Sequence, residues 1–266
     1  MLLHLVADFG VGDLAFAEVA QRLKRRLPEA ELVLTAVPPF ATLAAGFVSA
    51  QLALNEAPPG TVVFHNVAPR HDDERPRTDN AGERLVATRL PGGTFVVGVH
   101  AGYAFSFFKQ AGAELYFAQA EAAGSQFRSR DVFPDAVAAL ARGEAHALHE
   151  PVPLEAVPDV PRGRVAYVDG FGNLKTTWAA PADFAPGTRV RVRVGEAEQV
   201  AFVSGGTFSV PAGTLAFAPG SSGWTRVGGG EVRFMELFLR GGSAADAFGR
   251  PAVGARVEVA LAAVPT

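Results

Sequence analysis

The N-terminal quarter of the chain alternates apolar runs with amphipathic segments, and this alternation limits the possible folds more than any other feature. Residues 2–7 form a short apolar run, which is typical of a buried strand. Phe16, Val19 and Leu23 then recur at helical spacing. Strands and helices are predicted in turn over 2–7, 13–27, 31–37, 42–55 and 61–67. This β-α-β-α-β order favours an α/β domain with a mostly parallel sheet and helices on both faces.

Beyond this alternation the character of the sequence changes twice. Residues 68–83 are charged and lack periodicity, so an exposed loop is predicted there. Further strands are predicted over 84–89, 94–99 and 114–118, and helices over 103–111 and 131–142. Four prolines among small residues indicate a linker over 151–163. We therefore expect an α/β domain over 1–150 and a smaller, mainly antiparallel β domain over 164–266, where residues 188–194 alternate like a half-exposed strand.

Composition excludes several classes of protein. With 48% hydrophobic and 19% charged residues, the chain can bury a sizeable core, and its net charge of -3 gives no electrostatic reason to expect nucleic acid or an anionic membrane as partner. The absence of cysteine excludes disulfides, thiolate metal sites and a cysteine nucleophile. The N-terminal apolar run meets Asp8 too soon for a signal peptide, so a cytoplasmic location is expected. Lysine occurs only at positions 24, 109 and 175, which we attribute to genome composition.

The segment from Asp8 to Asp13 follows the first predicted strand, and open α/β sheets bind ligands at the carboxyl ends of their strands. Gly10, Gly12 and Ala15 spell G-x-G-x-x-A, a weak dinucleotide fingerprint. Against it, the second strand offers no acid for a ribose hydroxyl, and two acids would repel a pyrophosphate. Three interpretations stay open: a phosphate loop, a purely structural turn, or a site where the two acids bind hydroxyls or an amine.

Glycine-rich clusters in the second half could each form a simple turn. Residues 169–173 (Asp-Gly-Phe-Gly-Asn) lie between two predicted strands and on their own favour a hairpin turn. Residues 220–224 are turn-like as well, and in a third cluster Ser243 could cap a short helix. The histidines lack metal-ligand spacing apart from a weak pair at His146 and His149, so no metal site is predicted.

Taken in order, these segments resemble the S-adenosylmethionine (SAM) hydroxide adenosyltransferase family, relatives of the fluorinase and chlorinase enzymes. The segments that carry the resemblance are 8–13, 37–40, 60–67, 130–133, 167–174 and 241–245. The strongest is 167–174, and the match runs nearly from end to end. The resemblance implies an N-terminal α/β domain, a C-terminal β-barrel-like domain and a homotrimer with sites between subunits. It also implies SAM as a small-molecule substrate, with no separate cofactor.

For the sugar and amino-acid parts of SAM, the resemblance implies three ligand-binding residues. Asp8 matches the acid that holds the ribose hydroxyls, and Asp13 matches the acid that holds the methionine amine. Ser221 matches a serine that meets the methionine carboxylate, with residues 225–234 as an insertion. These roles agree with the residue types, because a carboxylate pairs well with an ammonium group.

For the adenine ring, the resemblance implies three further residues, all in the cluster at 169–173. Asn173 matches the residue that reads the base, while Asp169 and Phe171 match residues that shape the pocket. An asparagine suits adenine because its amide carries a donor and an acceptor side by side.

The catalytic half departs from the family pattern. The family's hydrolases activate water with an Asp, an Arg and a His. Only the arginine is kept, as Arg75, because the aspartate falls on Ala68 and the histidine falls on Arg128. Arg128 stays protonated and cannot act as a general base. Arg75 and Arg128 are therefore the catalytic candidates, and His71 or His100 could replace the lost groups.

Two functions follow from this mixture. The default is hydrolysis of SAM to adenosine and methionine by attack at the ribose C5′. The alternative is a divergent protein that binds a nucleoside or an anionic adenosine derivative and has lost or changed the chemistry. Retained Asp8, Asp13 and Asn173 favour both over a third class, an NAD-type oxidoreductase, whereas Ala68 and Arg128 separate the first function from the second.

Overall fold

The computed structural model of the protein forms two compact units, each built on one seven-stranded sheet. It describes residues 1–68, 82–121 and 124–262. The first unit contains Met1–Asp159 and Arg226–Gly229, and the second contains Val160–Thr225 and Gly230–Thr266. Within the described stretches, no helix is long and apolar enough to cross a bilayer.

The first unit follows the predicted alternation of strands and helices. In chain order it contains β1 (Leu2–Ala7), α1 (Leu14–Arg26), β2 (Glu31–Ala36), α2 (Thr42–Ala53), β3 (Val62–Asn66), β4 (Leu85–Arg89), β5 (Phe95–Val99), α3 (Ser106–Gln110), β6 (Tyr116–Ala118), α4 (Arg128–Asp131), α5 (Phe133–Ala141) and β7 (Leu148–Pro151). The helix predicted over 131–142 corresponds to α5, and the separate short helix α4 precedes it. Pro134 stands in the first turn of α5, where proline starts a helix but cannot continue a preceding one.

The sheet of the first unit is mixed and not mostly parallel as predicted. Its order is β2-β1-β3-β5-β4-β6-β7. The pairs of β1 with β2, β1 with β3 and β3 with β5 are parallel, while β4, β6 and β7 pair antiparallel. β4 and β5 are antiparallel because their connection, from Leu90 to Thr94, is short and is closed by a 2.9 Å bond from the Leu90 amide to the Thr94 carbonyl. Five residues are too few for the crossover that two parallel strands need.

Helix α1 packs through the stripe that its periodicity predicted. Phe16, Val19 and Leu23 are buried in one cluster with Leu3 and Leu5 of β1. α1 also contacts α4 and α5, whereas α2 packs with α3. Because both β1 and α1 are anchored in this core, the loop that joins them is held at both ends.

The second unit is a curled, mainly antiparallel sheet. Its strands are β8 (Val165–Val168), β9 (Leu174–Ala179), β10 (Arg189–Val194), β11 (Ala197–Val203), β12 (Leu215–Thr225), β13 (Glu231–Leu239) and β14 (Val257–Leu261), with helix α6 at Ala244–Ala247. The order is β14-β10-β11-β12-β13-β9-β8, and only β11 and β12 pair in parallel. An isolated bridge from Arg164 to Arg256 links the two ends of the order, so the sheet curls toward a barrel.

Residues 220–224, which the sequence predicted as a turn, lie inside β12. The pairing of β12 with β13 shifts between Pro219 and Gly223, so the residues between them form a bulge. Pairing resumes on both sides, and the strand therefore continues through the cluster. Turns and bulges both use the conformational freedom of glycine, which is why the local sequence did not distinguish them.

A buried histidine lies at the centre of the first sheet. His65 on β3 is 0% exposed, and neither ring nitrogen has a hydrogen-bond partner among the described residues. It pairs with Gly98 on β5, where an added Cβ would overlap the imidazole, and its ring centroid lies 4.8 Å from that of Phe105. Desolvation by this burial lowers the pKa of His65 to about 3.

The burial of His65 should make the free energy of unfolding fall in acid. Unfolded His65 titrates near 6.5 but the folded form only near 3, so stability is lost as pH falls between these values. At about 1.4 kcal/mol per pKa unit, the wild type loses about 2–3 kcal/mol more than His65→Leu between pH 7 and pH 4.5. Urea unfolding of both proteins at the two pH values measures this difference. Parallel losses of unfolding free energy would contradict it.

Candidate functional site

The loop between β1 and α1 places two predicted ligand-binding acids at its ends. Asp8 accepts the amide of Phe40 at 3.0 Å, and Asp13 is the N-cap of α1, accepting the amide of Ala15 at 2.7 Å. The Asp13 amide in turn donates to the Gly10 carbonyl at 2.9 Å. The Asp13 carboxylate thus accepts the Ala15 N–H, at the helix N-terminus where a phosphate loop would bind its ligand. This hydrogen bond disfavours the dinucleotide interpretation.

Apolar side chains surround these acids and face outward. Val11 is 93% exposed and Leu14 is 71% exposed, and Phe40 is also exposed. Phe40 adopts a φ of 60°, a conformation that costs a non-glycine residue about 1–2 kcal/mol. That conformation accompanies the bond from its amide to Asp8. The loop therefore combines fixed negative charge with exposed apolar surface.

In the second unit, residues 169–173 form the hairpin turn between β8 and β9 that the sequence favoured. Asp169 organises this turn. One carboxylate oxygen, Oδ1, accepts the amides of Phe171 at 2.9 Å and Asn173 at 3.0 Å, and Oδ2 accepts the side-chain amide of Asn173 at 2.9 Å. The side chain of Asn173 is thereby oriented before any ligand arrives.

Phe171 stands at the tip of this turn and is 82% exposed. The turn packs against the segment at Ser243 and Ala245. The Gly172 carbonyl accepts the Ala245 amide at 2.8 Å, and a Cβ at Gly172 would overlap Ser243. A cavity of about 420 Å³ borders Phe171, Ser243 and Arg250, within the size range of small-molecule sites. An exposed aromatic ring on a rigid turn is suited to stack on a planar base.

Ser221 lies in the bulge of β12, beside a buried carboxylate that sequence reasoning missed. Glu236 on β13 is 0% exposed and accepts both the amide of Ser222, at 2.8 Å, and the Ser222 hydroxyl. Gly220 is required because an added Cβ would overlap the Glu236 carboxyl group. The bulge therefore wraps around Glu236 and sets the position of Ser221.

Lys175 joins the turn to the bulge. Its ammonium donates to Glu236 Oε2 at 2.8 Å and to Ser221 Oγ at 3.4 Å, and it lies 3.7 Å from Asp169 Oδ2. The second unit thus brings together all four of its predicted site residues, Asp169, Phe171, Asn173 and Ser221. One signal for the missed pair was present in the sequence: Glu236 is a lone acid in an apolar stretch of strand, where an acid needs a buried partner.

Arg128 is tied to backbone carbonyls. Its guanidinium donates to the Glu83 carbonyl at 2.9 Å and the Glu121 carbonyl at 2.8 Å, and it lies 4.7 Å from the ring centroid of Phe133. Burial lowers the pKa of Arg128, with a smaller opposing effect of Glu83. Two of its nitrogens are therefore committed to holding chain segments in place.

Of the other positions considered for catalysis, the structure describes Ala68 and His100. Ala68 follows β3 and packs against the apolar core. The pKa of His100 is lowered, chiefly by burial, and its ring packs edge-on to Phe117 at 5.9 Å. Arg75 and His71 lie outside the described residues. Within the described stretches, no group of three or more acidic or histidine side chains could hold a metal ion.

Comparisons with known proteins agree with the resemblance. The model of the SAM hydroxide adenosyltransferase N-terminal domain matches residues 3–149. No curated protein matches the chain.

Two similar solved structures cover almost the whole chain. An uncharacterized conserved protein from Thermotoga maritima is 21% identical, with a TM-score of 0.74 over 97% of this chain and 100% of its own. A conserved hypothetical protein from Thermus thermophilus is 25% identical, with a TM-score of 0.66 over 97% of this chain and 99% of its own. These likenesses concern the fold. The family model spans more than half of the sequence, and the chain belongs to the SAM hydroxide adenosyltransferase family.

Proposed function

We propose that the protein binds an adenosine-containing small molecule, and that its reaction is hydrolysis of SAM to adenosine and methionine. The observation that carries the proposal is that one turn, organised by Asp169, holds both the oriented amide of Asn173 and the exposed Phe171. Such a pair can read a base edge while stacking on its face. Family membership supplies the class of ligand.

The remaining ligand contacts are assigned by charge and position. Asp8 and Asp13 would hold the ribose hydroxyls and the methionine amine, because both are carboxylates at the carboxyl end of β1. Ser221, beside the ammonium of Lys175, would meet the methionine carboxylate. A positive charge at that position favours an anionic group.

The reaction requires little acid catalysis. Water forms a bond to the ribose C5′, the C5′–sulfur bond breaks with its electrons passing to sulfur, and the attacking water passes a proton to a second water molecule. Because a sulfonium is already a good leaving group, the protein must mainly align the water and exclude bulk solvent. Arg128 cannot take the proton, since a guanidinium is a donor without acceptor capacity.

A second candidate function is nucleoside binding without turnover. It is favoured by the two positions where the family's water-activating groups are replaced. The side chain of Ala68 has no polar group, and two nitrogens of Arg128 donate hydrogen bonds to backbone carbonyls. Both candidates use the same base-binding turn, so a turnover measurement separates them.

SAM turnover decides between the two functions. We expect the purified protein to release adenosine from SAM well above the spontaneous rate. Asp8→Ala should lower this release by about 10-fold or more, because a buried or ligand-paired hydrogen bond to a charged group is worth about 1.5–3 kcal/mol. Liquid chromatography of adenosine over time measures the rate.

Two controls make this assay specific. A sample without protein gives the spontaneous decay of SAM, and Asp183→Ala, in the second unit and outside the candidate site, serves as the matched acidic control. Adenosine release equal to the spontaneous rate in the wild type contradicts hydrolysis and leaves the binding function. Equal release by the wild type and Asp8→Ala contradicts the role of Asp8.

We also propose that the protein is a homotrimer with its sites between subunits, as the family resemblance implies. Large apolar side chains are exposed on both candidate loops: Val11 at 93%, Leu14 at 71% and Phe171 at 82%. Contact with another copy or a ligand would remove this surface from water, at about 25 cal/mol for each Å² buried.

The oligomeric state is measured by size-exclusion chromatography with light scattering. We expect a mass of three times 27.8 kDa. Leu14→Glu should shift the population toward the monomer, because a buried unpaired charge is costly, whereas the exposed Phe208→Glu in the second unit serves as control. A wild type that elutes as a monomer at micromolar concentration would contradict the trimer.

A further inference from the structure

We propose that Asp169 and Lys175 are positioning residues that fix the Asn173 amide in one orientation, so that the site prefers 6-aminopurines to 6-oxopurines. The inference rests on the proposed function, because it takes Asn173 as the residue that meets the purine. It adds to that function a physical origin for base selectivity and a role for Lys175, a residue that the sequence did not single out.

The orientation of the amide follows from the chemistry of its neighbour. An ionised carboxylate only accepts hydrogen bonds, so the group facing Asp169 Oδ2 at 2.9 Å must be the NH₂ of Asn173. The reverse orientation would bring two acceptors together. One N–H of Asn173 therefore bonds Asp169. In this proposal it is the N–H on the far side of the amide, so that the N–H beside the carbonyl oxygen is left for a ligand.

A fixed amide distinguishes two kinds of purine. Adenine presents an acceptor, N1, beside a 6-amino donor, and this edge complements an N–H beside a carbonyl. Hypoxanthine presents N1–H beside a 6-oxo group. Its N1–H donor would therefore face the N–H of the asparagine, and its 6-oxo acceptor would face the carbonyl oxygen. A free asparagine could rotate by half a turn and accept either base. Asn173 can make that rotation only by breaking its bond to Asp169 and leaving two acceptors in contact.

In this proposal the ammonium of Lys175 keeps Asp169 in this arrangement. Its ammonium lies 3.7 Å from Asp169 Oδ2 and donates to Glu236 at 2.8 Å. Lys175 and Glu236 are direct partners in the register of β9 and β13, so the position of the ammonium is set by the sheet. Side-chain exposure falls from 20% at Asp169 to 13% at Lys175 and 0% at Glu236, so the turn is anchored to the interior.

Removal of the ammonium should loosen the turn without removing any group proposed to touch the base. In Lys175→Met, Asp169 loses the cation beside it and can move away from Asn173. Lys109→Met is the matched control, because Lys109 is also partly buried and ion-paired, donating to the Val157 carbonyl at 2.8 Å and lying 2.8 Å from Asp159. It lies in the first unit.

The first readout is the ratio of two affinities. Calorimetric titration with adenosine and inosine should show that the wild type and Lys109→Met prefer adenosine by about 10-fold or more, equivalent to about 1.4 kcal/mol. Lys175→Met should lose most of this preference. A merely structural role would reduce the fraction of protein that binds, or the melting temperature, but would leave the ratio unchanged.

The second readout needs no ligand. Hydrogen exchange of the Phe171 and Asn173 amides, both bonded to Asp169, should be faster in Lys175→Met than in Lys109→Met. If Lys175→Met does not fold, the double variant Lys175→Met/Glu236→Gln removes both charges of the buried pair and takes its place.

The outcomes separate this inference from the proposed function. Loss of the adenosine preference together with faster exchange at both amides supports the positioning role. An unchanged preference, or unchanged exchange of both amides, overturns it. If the wild type binds neither adenosine nor SAM, the proposed function fails, and the exchange of the two amides still decides whether Lys175 positions the turn.

Discussion

The fully buried carboxylate of Glu236 is the constraint on which the candidate site of the second unit depends. An ionised group can be buried only if charge and hydrogen bonds compensate the lost water, and otherwise costs several kcal/mol. Lys175 supplies the charge, while the Ser222 amide and hydroxyl supply the hydrogen bonds. The bulge of β12 and the absence of a side chain at Gly220 both follow from this requirement. One buried charge thereby links the turn at 169–173 to a strand far from it in sequence.

The two units use carboxylates in the same way. In each, an acid proposed to meet the ligand also holds its own loop: Asp8 accepts the Phe40 amide, Asp13 caps α1, and Asp169 accepts three donors within its turn. Such groups are preorganised, because their positions are fixed before a ligand binds. Arg128 contrasts with them, since its hydrogen bonds hold backbone segments.

Local sequence patterns predicted much of the fold. The features that they did not predict depend on pairing between strands that are distant in sequence. The periodicity of α1 and the hairpin at 169–173 depend on neighbouring residues, so the sequence predicted them well. The antiparallel pairing of β4 with β5 follows from the short connection between them, whereas the alternation of strands and helices carries no information on strand direction. The pairing of Lys175 with Glu236 joins residues 61 positions apart, and it depends on a strand register that no local signal specifies.

We propose that Asn173, fixed by Asp169, binds the adenine of an adenosine-containing ligand. Calorimetric titration of the wild type and Asn173→Ala with adenosine tests it most directly. We predict saturable binding by the wild type, and binding weaker by about 10-fold to 100-fold in the variant, since base-edge contacts are worth about 1–3 kcal/mol. Equal affinity of the two proteins, or no binding by the wild type, would contradict the account.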